Sequence, residues 1–223
     1  MKNLAKNLLL LLALALPAMA LAQPQSCKVK FSGSKPTIID FARAYCSQSE
    51  SGSFNRDALA AFAKGNHKKG NVECIVDKKN GYLRYTAPVD MTINYIEMCY
   101  WTCDNKNECI FAVNLVDTSM DFDESNLTFY RYNAKTRVMK LIKPPFDRQP
   151  QPIDLVNKSK AAGSIVNMVQ GARNEDSNRF QPCYELPRTG KDITCRISDR
   201  KAIPREAQRK VILKWNGSGF NME

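Results

Sequence analysis

Between residues 71 and 142 the chain alternates short strand-like stretches with turn signals three times over, and no other feature restricts its fold as much. VECIVD at 72–77 and GYLRYTA at 81–87 flank the turn Lys78-Lys79-Asn80-Gly81. Asn-Gly tolerates the positive-φ backbone that a tight connection between antiparallel strands needs, and it is the strongest short-range hairpin signal. Residues 92–103 and 109–116 flank a second turn at 104–108, and residues 127–132 and 137–142 flank a third at 133–136. Three successive hairpins predict an antiparallel meander. Strand signals return at 181–187, 191–197 and 211–215.

The segment before the meander has a different period. Ile38, Ile39, Phe41, Ala42 and Tyr45 recur at helical spacing after Pro36, a residue suited to a first helical turn. Asn55 is placed to cap a second helix, 56–64, ended by Gly65. CKVKF at 27–31 reads as a short strand, and SIVNMVQ at 164–170 fits a short helix or a strand equally. Pro144, Pro145, Pro150 and Pro152 mark an irregular crossing, so 143–180 is the seam if the chain has two lobes. The expected fold class is therefore α+β: two short N-terminal helices packed on a mostly antiparallel meander or sandwich, stapled by disulfides, within one domain spanning 23–223.

The staple expectation comes from the first 22 residues. Lys2 and Lys6 precede an apolar run from Leu8 to Leu16, followed by Pro17 and Ala20-Leu21-Ala22. This is the pattern of a secretory leader cleaved near Ala22, which predicts a secreted or periplasmic protein. The run is short for a bilayer span, and no second run is long or apolar enough to span a membrane, so a soluble mature protein is expected. Eight cysteines follow the leader, an even number in an oxidising compartment. Hairpin register pairs Cys183 with Cys195 around Arg188-Thr189-Gly190, and Cys103 with Cys109 around Asn105-Lys106-Asn107. Cys27, Cys46, Cys74 and Cys99 allow three connectivities, of which Cys27–Cys46 and Cys74–Cys99 are preferred. A metal site is not expected, because Cys99-x3-Cys103 lacks a second close pair.

Positive charge is unevenly distributed. Residues 23–130 carry 12 Lys+Arg against 13 Asp+Glu, whereas residues 131–223 carry 19 against 9. A basic half predicts an acidic partner: an anionic glycan, an envelope component or an acidic protein. The expected contact residues are Lys191, Arg196, Arg200, Lys201, Arg205 and Lys210. Their dispersal, the lack of interleaved aromatics and the absence of zinc-finger or RNA-recognition signatures argue against nucleic acid.

Catalytic side chains are scarce. The single histidine, His67, sits in the turn Gly65-Asn66-His67-Lys68-Lys69-Gly70 with no base or ligand pattern around it. No nucleophile elbow, phosphate loop or H-E-x-x-H occurs. Carboxylates cluster only in VDTSMDFDESN, where Asp121-x-Asp123-x-Ser125 lacks the glycine and distant glutamate of a calcium loop. No catalytic residue, metal or cofactor is assigned.

EMCYW at 97–101, FYRYNAKT at 129–136, LPRTGKDI at 186–193 and VILKWNGSGF at 211–220 resemble uncharacterised secreted proteins of Bacteroides-type bacteria, over roughly residues 75–220. The resemblance implies a β-rich periplasmic or surface protein and transfers no catalytic residue. The expected function is an exported, non-enzymatic binding protein. The alternative is a carboxylate-dependent glycan hydrolase using Asp121 or Asp123, which would need a pocket with two facing carboxylates.

Overall fold

The computed structural model describes residues 23–48, 52–89, 92–118, 122–171, 179–199 and 201–223. The expected leader, with its cleavage point near Ala22, lies outside these residues, as do Asp121 and Arg200. Two antiparallel sheets dominate. The larger has eight strands in the order β1-β8-β7-β6-β5-β4-β3-β2. These are β1 (Ser26–Lys28), β2 (His67–Lys69), β3 (Val72–Asp77), β4 (Tyr82–Val89), β5 (Thr92–Thr102), β6 (Glu108–Thr118), β7 (Asp123–Asn133) and β8 (Val138–Ile142). From β2 to β8 each strand pairs with the next, and β1 closes the row beside β8. The smaller sheet repeats the pattern with β9 (Pro182–Glu185), β10 (Ile193–Ile197), β11 (Val211–Trp215) and β12 (Phe220–Met222).

Helices α1 (Ile38–Cys46) and α2 (Gly52–Lys64) cover one face of the large sheet. At the start of α1 the Thr37 backbone N–H donates to Asp40 Oδ2 at 2.8 Å, satisfying one of the orphan groups of a first turn. Its apolar stripe of Ile38, Phe41, Ala42 and Tyr45 then packs on Ile96, Met98, Phe111, Val113 and Tyr130. Each fully buried large side chain there contributes about 1.5–3 kcal/mol of transfer free energy. α2 begins three residues before Asn55, so Asn55 lies inside the helix and buried rather than at its cap. SIVNMVQ belongs to a third helix, α3 (Gly163–Gly171).

The small sheet covers the opposite face. Cys99, Trp101, Ile110, Ala112 and Phe129 of the large sheet meet Ile193, Ile197, Val211, Leu213 and Phe220. Trp101 stacks on Trp215 at 6.0 Å and meets Phe220 edge-on at 5.1 Å, while its Nε1–H donates to Lys191 O at 2.8 Å. Central strands β5 and β6 are thus buried on both faces, and this is why EMCYW and CIFAV read as near-continuous apolar runs instead of alternating.

The α+β, disulfide-stapled class is corrected on both counts. The chain is predominantly antiparallel β, and three helices are accessory to two sheets. All eight cysteines, Cys27, Cys46, Cys74, Cys99, Cys103, Cys109, Cys183 and Cys195, are free thiols. The reason is parity. Cys183 faces Arg196, and Cys195 faces Tyr184, one residue out of the register that would oppose the two sulfurs. A one-residue offset sends neighbouring side chains to opposite faces. Cys109 likewise faces Thr102, so it packs on the helix side while Cys103 packs on the small-sheet side. Cys74 and Cys99 are divided by the large sheet in the same way. Cys27 and Cys46 share the helix-side core as separate thiols. Burial pushes the Cys27, Cys74, Cys109 and Cys183 thiols up to about 11, which leaves almost no thiolate at neutral pH.

Candidate functional site

A meander of consecutive antiparallel strands puts every second turn at the same end of its sheet. Here the β3–β4, β5–β6 and β7–β8 turns share one end with residues 29–35, which leave β1 beside β8. The ladders run on into the turns: Tyr100 N donates to Gly81 O at 3.3 Å, Ala134 N to Asn107 O at 2.8 Å, and Val29 N to Arg137 O at 2.9 Å. Gly81 (φ 67°) lies under the Tyr100 ring, where a Cβ would come within 2.6 Å of Cε1. Two turns of the small sheet join this end. Arg188 Nε reaches Asp77 Oδ2 at 3.4 Å, and Asp104 N donates to Gly217 O at 2.9 Å.

This turn end is strongly basic. Lys78 and Lys79 lie on the first turn, Lys106 on the second, Lys135 and Arg137 on the third, Lys30 and Lys35 on the lead-in, and Lys191 on the small sheet; all are exposed. Arg137 stacks on Phe31 at 4.8 Å. The lysines have no ion-pair partner among the described residues. The acids at this end are occupied. Asp77 accepts from Asn80 N at 3.1 Å and pairs with Arg188, Glu108 pairs with Arg131 at 2.9 Å, and Asp192 accepts from Trp215 N at 3.0 Å. Asp104 packs against Gly217. The result is a net positive surface, in which Asp77 and Glu108 are paired with arginines while Asp104 and Asp192 keep their charge, built largely from the N-terminal half, whose summed charge is close to zero.

The interior holds a different polar cluster, at the seam between the sheets. Arg84, Glu97 and Asn114 are direct cross-strand neighbours on β4, β5 and β6, on the face toward the small sheet. Glu97 is 3% exposed and accepts from Tyr82 Oη at 3.0 Å, Leu186 N at 3.1 Å and Asn114 Nδ2 at 3.3 Å; Arg84 Nη1 stands 3.7 Å away. Burial raises the Glu97 carboxyl above its ordinary value, against the pull of those donors and of Arg84. Asn114 also donates to Tyr184 O at 2.8 Å and accepts from Ser125 Oγ at 2.7 Å. Every bond in the cluster ties one sheet to the other or one strand to its neighbour. Leu186 closes on the cluster through its backbone N–H to Glu97.

A groove of about 510 Å³ lies where residues 155–157 run beside 207–209, at the opposite end of β11 from the 216–219 turn. Lys158 and Arg209 line it, together with Asp154, which Arg148 holds in a bidentate pair at 2.9 and 3.0 Å.

The residues expected to contact an anion are dispersed over this architecture. Lys191 lies at the turn end. Arg205 and Lys210 are exposed on the segment beside the groove, and Lys201 is exposed next to Asp199, to which its N–H donates at 2.8 Å. Arg196 is different: its side chain is 12% exposed, and its guanidinium is held by Asp123 and, at 3.0 Å, by Glu185. Asp123, a candidate hydrolytic carboxylate, is thereby committed to an ion pair across the seam. Among the described residues no group of histidine, cysteine and carboxylate side chains could hold a metal ion. No helix among them is long and apolar enough to cross a membrane.

Reading charge along the chain missed Lys78, Lys79, Lys106 and Lys135 as a group, because they are far apart in sequence. The signal that finds them is positional: each sits on an even-numbered turn of the meander, counted from β2. No protein-family model, curated protein or solved structure matches the chain.

Proposed function

We propose that this is an exported, non-enzymatic binding protein whose anionic partner docks on the turn end. One observation carries the reading: successive hairpin turns deliver lysines that have no ion-pair partner among the described residues to one surface, while Asp77 and Glu108 beside them are paired with arginines. Like charges held together repel one another, and an anionic partner relieves that cost. Of the residues expected from sequence, Lys191 belongs to this surface. Arg205 and Lys210 lie beside the groove instead.

The test uses the 23–223 protein on immobilised sulfated polysaccharide at low and high salt. Retention at low salt, lost as salt rises, is expected from screening of exposed charges. A Lys78→Glu, Lys79→Glu, Lys106→Glu, Lys135→Glu variant should lose retention, whereas Lys158→Glu with Arg209→Glu should keep it. Absence of binding to any polyanion at low salt would overturn the proposal.

A further inference from the structure

We infer that the partner of the turn end is a linear acidic polysaccharide charged once per disaccharide, lying across the strand ends from the β3–β4 turn to the β7–β8 turn. This rests on the function proposed above and adds the chemical class and direction of the ligand.

The argument is one of spacing. Neighbouring strands are about 4.8 Å apart, so turns that close every second strand follow one another at about 9.5 Å. The three turns therefore form a row about 19 Å long on the same principle, with Lys78 and Lys79 at one end, Lys106 in the middle and Lys135 at the other. A glycan chain with one carboxylate or sulfate per disaccharide repeats its charge at nearly that interval. Nucleic acid carries charge far more densely, with one negative charge per about 1.7 Å of duplex axis. Its single-stranded form is gripped by exposed aromatic faces as well as by cations. The turns carry no aromatic residue and space their cations at about 9.5 Å from one turn to the next, and four of their five cations are lysines, the fifth being Arg137, whose guanidinium stacks on Phe31. A lysine is a point charge that can meet one separated anion, whereas bidentate capture of a phosphate favours arginine.

The gaps between the lysines have the matching chemistry. Asn105 Oδ1 accepts from Asn107 N at 3.2 Å, and Asn133 Oδ1 accepts from Lys135 N at 3.0 Å and Thr136 N at 3.2 Å. In both, the amide oxygen is spent on holding the turn, which leaves the Nδ2 group as a donor. Amide donors interleaved with single cations complement a chain whose hydroxyls alternate with single anions.

Hyaluronan oligosaccharides of two, four, six and eight sugars provide the test, with polyphosphate and a single-stranded oligonucleotide as comparators, all titrated at low salt. Affinity should rise with each disaccharide to the hexasaccharide, by about tenfold or more overall, and then level off, because three anions fill three turns. Lys106→Ser, at an exposed turn position, should flatten the rise beyond the disaccharide while leaving the thermal melt unchanged. Binding that is independent of length, or of Lys106 in a folded variant, would overturn the inference. Binding of polyphosphate or oligonucleotide without hyaluronan would overturn it too, while leaving an anionic partner in place. If no polyanion binds, both readings fail.

Discussion

On the helix side of the large sheet Phe41 meets Phe111 at 5.4 Å and Tyr132 at 5.1 Å, and the interface is mainly apolar, with buried Asn55, Thr128 and tyrosine hydroxyls as its polar groups. On the small-sheet side the same strands present Glu97, Asn114, Ser125 and Asp123 among their apolar residues. The difference lies in what fixes position. Apolar packing is non-directional, so α1 is located by the shapes of its side chains. The small sheet is located by directional bonds: Leu186 N to Glu97, Tyr184 O to Asn114 and Arg196 to Asp123. One face stores its stability in volume and the other in matched donors and acceptors, where an unmet partner is costly.

The largest effects should come from removing the centre of each face. Phe41→Ala leaves a cavity in the helix-side core and should cost about 3–5 kcal/mol in chemical denaturation. Glu97→Ala should cost a similar amount, about 3–5 kcal/mol, for another reason: Tyr82, Asn114, Leu186 N and Arg84 lose their common acceptor. Phe41→Leu should recover part of its loss, because leucine refills much of the cavity without the ring contacts. If Glu97→Leu recovers as much, the seam is held by volume as well and the contrast fails.

A pH series should give the next largest effect. The folded Glu97 carboxyl binds its proton more tightly than the unfolded one, whose ordinary value is 4.5. In the window from 4.5 up to the raised folded value the native state holds more protons, so this group's contribution to stability falls as pH rises. Glu97→Gln should abolish that slope. Unchanged slopes in denaturation curves collected across the window would show that the carboxyl ionises without penalty.

The smallest effect tests the helix side. Tyr130 and Tyr132 are buried, and their hydroxyls have no hydrogen-bond partner among the described residues. Tyr130→Phe and Tyr132→Phe should each leave stability within about 0.5 kcal/mol or raise it, since no bond is lost. A clear loss in either would mean that the hydroxyl is satisfied and that this face too relies on directional bonding.

Local features of this architecture were legible in the residues. Asn80-Gly81 marks its turn, and the α1 stripe can be read from Ile38 to Tyr45, because both depend on neighbours in the chain. The cysteine pairings were not legible. Bond formation between strands depends on a register that a single-residue slip inverts, and Cys183 and Cys195 differ from facing positions by one residue. The layer count was obscured for a related reason: with both faces of β5 and β6 covered, the alternation that separates inside from outside is erased. The basic turn end was hidden by averaging, since Lys78, Lys79 and Lys106 are diluted by acids that fold elsewhere or into ion pairs, and Lys135 stands far from them in the chain.

The sheet margins set a limit on how any partner can attach. Strand β1 has three residues and ends at exposed Lys28, and β2, also three residues, ends in exposed Lys68 and Lys69. Short, lysine-bearing edges discourage a further strand from zipping onto the main chain. Recognition by strand addition is thereby disfavoured on both flanks of the large sheet, as is edge-to-edge pairing of one copy with another. What such edges leave to a partner is side-chain tips, and if the proposed anionic chain docks on the turn end, it would be held and released there without rearrangement of the backbone beneath.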